Sequence, residues 1–599
     1  MKFSISILCF FLYQIGYTQS TSYTVSFDNA IHHEASIIAT FKGVTDDTLA
    51  VRMSRTSPGR YALHEFAKNV YNVKAKDAKG NSLLIIRSNP YEWKIIGHKG
   101  TAVVSYTLFA DRADGTYSQI DQTHAHLNIP ATFMYASQLK NAPIEVTFNI
   151  PESSNWRIAT QLKYVSGTTY IAPDLQYFMD SPVEISDHSV RKFTDTSNGK
   201  EYSFRFILHH LGTEAELDTY FKKVKSIVLQ EKEVFGEYPD FENQTYTFLA
   251  CYMPNVSGDG MEHRNSTILT DVESLSEGGM EENIGTVSHE FFHSWNVERI
   301  RPKDLEPFDF ENTNMSEALW FAEGFTSYYT NLILCRAKVI TKDEYVQGLA
   351  KAFNYVWNSP ARNYFTPIEM SYQAPFVDAA TSVDPVNRKN TFISYYSYGS
   401  MLGLALDLYL GKTSEDKNLD DYMKRVWQRY GKKEVPYTVK DLYELLAEYA
   451  GQSTADYFFT NFIYKSGMPD YKALFKNVGV IVIQNNTTSF TGLELDFTTD
   501  RKIQIKEYTV QGTPAYHAGL EKGDQIISIN NQKFTAEENW KNWLSKRKVG
   551  TTLEVIYQRN NTQQNTQITL QENPEYVIAI DKNMTKKENT AQKKWLEAK

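Results

Sequence analysis

The chain has 599 residues, 42% hydrophobic and 14% aromatic, enough for several packed cores, which excludes a disordered protein. Its net charge of −9 comes with no long basic run ahead of the C-terminal tail, so the cationic footprint of a nucleic-acid binder is missing. Lys2, a mostly apolar Ile5 to Ile15 and a small, polar Gly16 to Ser20 give residues 1–18 the form of a secretory signal peptide, with the mature protein expected in a periplasm or outside the cell. No later stretch has the length of a membrane span. Cys9 would leave with the signal, while Cys251 and Cys335, each in an apolar setting, read as buried free thiols.

Strand alternation comes first. Tyr23-Thr-Val-Ser-Phe27, Ala102-Val-Val-Ser-Tyr-Thr-Leu108 and Ile144-Glu-Val-Thr-Phe148, punctuated by turns such as Asp77-Ala-Lys-Gly80, predict an all-β, sandwich-like domain over 21–187. Helical spacing then takes over, as in Leu217, Tyr220, Phe221, Val224 and again in Leu442, Leu445, Leu446, Tyr449. One strand, Thr245-Tyr-Thr-Phe-Leu-Ala250, interrupts it, so 188–470 is expected to be an α+β, mainly helical domain. Strand patterns return at Lys502-Ile-Gln-Ile505, Gln525-Ile-Ile-Ser-Ile529 and Leu553-Glu-Val-Ile-Tyr557, within a small β-rich module over 478–573. The polar segment 574–599, Lys-rich from Lys582, is expected to be a frayed tail.

The chemistry concentrates at His289-Glu290-Phe-Phe-His293. Histidines four apart share one face of a helix and can reach one metal ion, zinc being the natural one, with Glu290 beside them to take a proton from a bound water. A third ligand is sought among Glu298, Glu306, Glu311, Glu317 and Glu323. Glu323 lies in the apolar run Leu319-Trp-Phe-Ala-Glu-Gly-Phe-Thr-Ser-Tyr-Tyr329, where a carboxylate is costly unless paired or bound to metal, and is the choice.

His289 to His293 followed by Trp320-Phe-Ala-Glu-Gly324 resembles the gluzincin metallopeptidases. The longer string His289-Glu-Phe-Phe-His-Ser-Trp-Asn-Val-Glu-Arg-Ile-Arg-Pro302 resembles the glycyl aminopeptidase family in particular. That resemblance implies a β-rich N-terminal domain, a thermolysin-like catalytic domain, a C-terminal PDZ domain, one zinc ion and a preference for small N-terminal residues, Gly or Ala. Gly258-Asp-Gly260-Met261-Glu262-His263 resembles the segment by which related aminopeptidases hold the substrate's free amine, with Glu262 the matching carboxylate. Tyr395-Tyr396-Ser-Tyr398-Gly-Ser resembles the segment whose tyrosine donates to the oxyanion. Tyr396 matches it, Tyr395 is an alternate, and Tyr398 stands where the family usually has lysine. Some gluzincins orient a ligand histidine with an aspartate four residues beyond the ligand glutamate; here that residue is Ser327. The long gap from His293 to Glu323 implies an inserted loop, with Arg299 and Arg301 near its start.

Thr491-Gly492-Leu493-Glu-Leu495-Asp-Phe497, followed by Gly512-Thr-Pro-Ala-Tyr-His-Ala-Gly-Leu-Glu-Lys-Gly-Asp524, is similar to a PDZ domain. A peptide C-terminus would then meet the backbone at Gly492 and Leu493 and add a strand beside Leu495. The leading expectation is a secreted zinc aminopeptidase acting on peptides or proteins with a free N-terminus. Competing with it are an endopeptidase on the same site with Glu262 idle, and a peptide-binding adaptor with a vestigial peptidase, against which the intact ligand set argues.

Overall fold

The computed structural model describes residues 19–152, 154–377, 384–485, 488–498 and 502–599, so the expected signal peptide lies outside the described residues. The chain divides into two compact units, one formed by residues up to Pro58 with Glu65–His188, the other by Gly59–His64 with Ser189–Lys599.

The first unit is β-rich. Its largest sheet has seven strands, with β1 (Ser20–Asn29), β2 (Glu34–Lys42), β3 (Thr101–Phe109) and β4 (Ile144–Asn149) in the order β4-β1-β2-β3 at its centre. Alternation decides what is buried: Tyr23, Val25 and Phe27 of β1 and Ile37, Ala39 and Phe41 of β2 are all core residues. A four-stranded sheet holds a buried polar triad. There His124 and His126 approach Glu184 through their Nδ1 atoms at 3.4 and 3.1 Å.

The second unit opens on a five-stranded sheet. Its strands are β5 (Ser189–Ser197), β6 (Lys200–His210), β7 (Thr245–Tyr252), β8 (Asp259–His263) and β9 (Ser266–Asp271), in the order β5-β6-β7-β9-β8. β6, β7 and β9 run parallel, and β8 pairs antiparallel at the edge with Glu262 opposite Thr267. The single strand read from the sequence is thus one of five. Of the other four, β8 and β9 were hidden because they are short and carry polar residues at buried positions.

Helices cover this sheet. Thr213 and Glu216 cap α1 (Glu214–Phe235) reciprocally, and Gly236 ends it at φ 81°. α2 (Ile284–Phe292) packs Val287, Phe291 and Phe292 inward. α3 (Leu319–Arg336) is buried nearly all round, as its uniform apolarity requires. α4 (Lys342–Trp357) and α5 (Tyr395–Thr413) pack in the same core. α3 and α5 cross at a glycine pair: a Cβ on Gly399 would land on the Trp320 carbonyl oxygen and 2.6 Å from Gly324 Cα.

Near the end of the chain the structure departs from expectation. β10 (Val480–Gln484) pairs antiparallel with the last strand, β16 (Tyr576–Ile580), and Val480 and Ile578 belong to the core packed by helices α1 to α5. Between these strands lies the PDZ module, with a core of its own around Ile503, Ile526, Leu553 and Val555. It comprises β11 (Leu495–Phe497), β12 (Ile503–Ile505), β13 (Gln525–Ile529), α6 (Glu537–Leu544), β14 (Thr552–Arg559) and β15 (Thr562–Thr569). The module is therefore inserted into a hairpin and not appended. The expected frayed tail is also a fold element. A capping box at Thr585 and Glu588 starts α7 (Lys586–Leu596), which buries Trp595 and Leu596. Arg336 donates to the Trp595 carbonyl at 3.1 Å, and Trp595 Nε1 donates to the Tyr328 hydroxyl at 3.0 Å.

Candidate metal centre

α2 places His289 and His293 one turn apart, their Nε2 atoms facing each other at 3.1 Å. From α3, Glu323 brings Oε2 to 3.2 Å from His293 Nε2 and 3.6 Å from His289 Nε2. The far side of each ring is fixed. His293 Nδ1 lies 2.6 Å from the Asn296 carbonyl, which can only accept. His289 Nδ1 lies 3.1 Å from Thr330 Oγ1, whose own hydroxyl donates to the Thr326 carbonyl at 2.9 Å. Both Nδ1 atoms must therefore carry hydrogen, leaving two Nε2 lone pairs aimed at each other and at a carboxylate. Such an arrangement calls for a proton or a cation between the donors, and two imidazoles with one carboxylate fit a tetrahedral divalent ion.

The charge balance agrees. Burial disfavours the His293 imidazolium, but Glu323, Glu262 and Glu290 overcome this and push its pKa up to about 10. Burial likewise opposes ionisation of Glu323, yet the charge of His293 and the contacts of the carboxylate with both imidazoles hold it well below the usual carboxylate range. His289 is lowered, mainly by burial. Burial raises Glu290 well above its ordinary range against the pull of His293, with Glu262, Glu323 and Asp259 adding to the rise. Glu262 is raised by burial too, opposed by His293 and reinforced by Glu323.

Glu262, on the edge strand β8, is buried, and its Oε1 has no hydrogen-bond partner among the described residues; neither has Glu290 Oε2. Gly260 is needed beside them, because a Cβ there would collide with Glu290 Oε1 and sit 2.5 Å from Thr286 Cγ2. Met261 is a core residue whose sulfur packs against Gly59. Tyr395 and Tyr396 open α5, and the Tyr396 ring lies 5.9 Å from the His289 ring. Tyr398 is fully buried, perpendicular to Trp357, and its hydroxyl has no partner among the described residues, so it is a packing residue here.

The structure thus gathers His289, His293, Glu323, Glu290, Glu262 and Tyr396. Arg299 and Arg301 do not join them. Arg299 donates to the Arg264 and Ser294 carbonyls, and Arg301 pairs with Glu306. Two functional neighbours escaped the sequence reading. Thr330 could have been found, since it follows Glu323 by two helical turns on the same face. Tyr61, whose hydroxyl donates to Glu323 Oε1, gives no local signal. Burial and the charges of Glu323 and Glu262 keep that phenol protonated.

In the PDZ module, Gly492 (φ 72°) approaches Thr513 too closely for a side chain, and the Leu493 amide donates to Thr491 Oγ1 at 3.2 Å. One of the two amides expected to receive a carboxylate is therefore engaged locally. Leu495 is half-buried in the edge strand β11.

An HExxH helix beside a mixed sheet, completed by a glutamate from the following long helix, defines a metallopeptidase. Comparison with known proteins refines this. Residues 22–187 match the Peptidase M61 N-terminal domain, 282–402 the M61 glycyl aminopeptidase and 488–570 the PDZ domain. The chain thus carries the two M61 domains, N-terminal and glycyl aminopeptidase, together with a PDZ domain. Among solved structures, an aminopeptidase N family protein from Idiomarina loihiensis shares its fold, at 23% identity and TM-score 0.83 over 96% of this chain and 100% of that one. An M1 zinc metallopeptidase from Deinococcus radiodurans (13% identity, TM-score 0.44, 76% of this chain and 96% of that one) is more distant. So is an aminopeptidase A from Legionella pneumophila (12%, TM-score 0.43, 83% and 53%). No curated protein matches the sequence. No helix among the described residues is long and apolar enough to cross a membrane.

Proposed function

We propose that the protein is a zinc-dependent aminopeptidase that removes small N-terminal residues, Gly or Ala, from peptides. The observation that carries this reading is the convergence of two imidazole Nε2 atoms and Glu323 Oε2 beside the buried, unpartnered Glu262 Oε1. His289, His293 and Glu323 hold the ion. When bound, zinc acidifies a water molecule and polarises the scissile carbonyl. Glu290, its basicity raised by burial, takes the proton from that water and delivers it to the leaving amine. Glu262 pairs with the substrate ammonium, fixing cleavage one residue from the N-terminus. The Tyr396 phenol donates to the developing oxyanion, a bond that strengthens toward the transition state. Residues 1–18 act as an export signal, and the PDZ groove at Gly492, Leu493 and Leu495 takes a peptide C-terminus.

The test is elemental analysis of the purified protein, followed by assays on free-amine and N-acetylated Gly-, Ala- and Leu-amides with and without chelator. One zinc per chain and chelator-sensitive release from free Gly or Ala substrates alone supports the proposal. Cleavage of acetylated substrates replaces it with an endopeptidase, and a metal-free, inactive protein refutes it.

A further inference from the structure

The second unit contains six residues from far upstream in the sequence, Gly59–His64. Three consecutive members of this strap touch the site. Gly59 (φ 78°) lies so close to β8 that a Cβ would meet Met261 Sδ and stand 2.8 Å from Glu262 Oε2. Arg60 forms an ion pair with Asp259, at the start of β8. Tyr61 is 2% exposed, donates its hydroxyl to Glu323 Oε1, and packs edge-on against Tyr395 with ring centroids 6.1 Å apart.

The two oxygens of Glu323 face different partners: Oε2 turns to the histidines and Oε1 to Tyr61. A carboxylate on a helix can rotate about its terminal torsion, which is broad. A bond on the outer oxygen helps select the rotation that presents the inner one to a metal. The histidines have the corresponding restraint, His289 through Thr330 and His293 through the Asn296 carbonyl. Each of the three donors is thus gripped from behind by a different group, and the grip on Glu323 comes from the strap.

We infer that Tyr61 is a positioning residue for the metal ion: its hydroxyl fixes the Glu323 carboxylate in the ligating rotation, and the strap Gly59-Arg60-Tyr61, tied down by Arg60 on Asp259, makes metal retention depend on a segment remote in sequence from the HExxH helix. This rests on the zinc reading proposed above. Hydrogen-bond partners behind metal ligands typically govern metal affinity about 10- to 100-fold.

The experiment compares full-length wild type with Tyr61→Phe, which keeps the ring and its packing on Tyr395 and removes only the hydroxyl. Zinc affinity is measured by competition with a chromogenic chelator, the metal-free proteins are melted, and the cobalt(II)-substituted proteins are compared by visible absorption. Expected for Tyr61→Phe is zinc affinity weakened about 10- to 100-fold and an altered cobalt spectrum, in a metal-free protein that still melts cooperatively and loses no more stability than one buried hydrogen bond supplies. Affinity within about twofold of wild type with the same cobalt spectrum overturns the inference, as does a loss of affinity with the wild-type cobalt spectrum. Should Tyr61→Phe not fold, Arg60→Gln keeps the hydroxyl but cuts the anchor. Weaker zinc retention in that variant supports the strap's role and wild-type retention overturns it. A wild-type protein that takes up no zinc refutes the metal reading and this inference together, whereas tight zinc in both wild type and Tyr61→Phe removes only the inference.

Discussion

Replacing Gly399 by alanine probes how the peptidase core holds its site together. The added Cβ would meet backbone on every side: the Trp320 carbonyl oxygen, Gly324 Cα at 2.6 Å and the Trp320 carbonyl carbon at 2.8 Å. No rotamer change relieves a clash with backbone, and carbon atoms prefer separations of about 3.5 Å, so α5 must retreat from α3 by on the order of 1 Å. Overpacking of this kind costs about 1–3 kcal/mol. Helix propensity favours alanine over glycine by up to about 1 kcal/mol, so a net loss of stability isolates the close approach. The retreat also moves Tyr396, one turn away, relative to Glu323, which neighbours Gly324. A displacement of about 1 Å at a catalytic group can cost roughly 100-fold in rate. Urea unfolding and steady-state hydrolysis of a Gly-amide substrate, with zinc content measured alongside, give the readings. Stability within about 0.5 kcal/mol of wild type together with unchanged kcat would refute the argument that this glycine pair sets the position of the tyrosine.

On the proposed role of Glu290 as a proton carrier and not a ligand, Glu290→Gln is expected to lower kcat by about 10²- to 10⁴-fold while zinc content stays at wild type; loss of zinc in that variant would reassign it as a ligand. Gly59→Ala forces a side chain at φ 78° onto Met261 and Glu262 Oε2, so KM for free-amine substrates should rise more than kcat falls, measured by full Michaelis profiles. Trp595→Ala should destabilise the protein by about 3–5 kcal/mol in denaturant titrations, because α7 is part of the core. The buried triad of the first unit adds a pH dependence. Opposed by burial but favoured by Glu184 and Asp121, His124 is raised above 6.5, so its contribution is full below 6.5 and fades as pH rises through the folded value. Glu184, opposed by burial but favoured in the charged form by both histidines, is held well below 4.5, so its contribution is full above 4.5 and is lost as pH falls through the folded value. Glu184→Gln should flatten the acid side of the stability profile, and an unchanged profile would show that the triad carries no such linkage.

Much of the site was legible because its chemistry is encoded locally. HExxH spacing places two rings on one helical face, and a lone glutamate in the apolar run around Trp320 had few roles other than metal binding. What was illegible depends on contacts distant in sequence. Tyr61 reaches Glu323 across 262 positions, and no periodicity announces such a bond. The pairing of β10 with β16 is equally non-local, so the PDZ pattern read as an appendage. The last helix was misread for another reason: its lysines dominate the composition and mask Trp595 and Leu596, although Thr585 with Glu588 three residues later is a helix-start signal. Thr330, which backs His289, stands one turn beyond Ser327, the position where some gluzincins place the aspartate that orients a ligand histidine.

The hairpin that carries the PDZ module has an engineering consequence. Gln484 and Tyr576 are directly paired, so the two ends of the intervening segment already lie side by side, as a tight turn would join them. The geometry would allow residues 485–575 to be replaced by a short turn, at the cost of the module's contacts with the helical core (Tyr364 to Gln511, Lys389 to Glu494 and Asn390 to Thr509), while α7 and its clasp on Arg336 keep their partners. The hairpin thus sets the hydrolytic core and the inserted module on separate stretches of chain, so that either can change in sequence without shifting the register of the other.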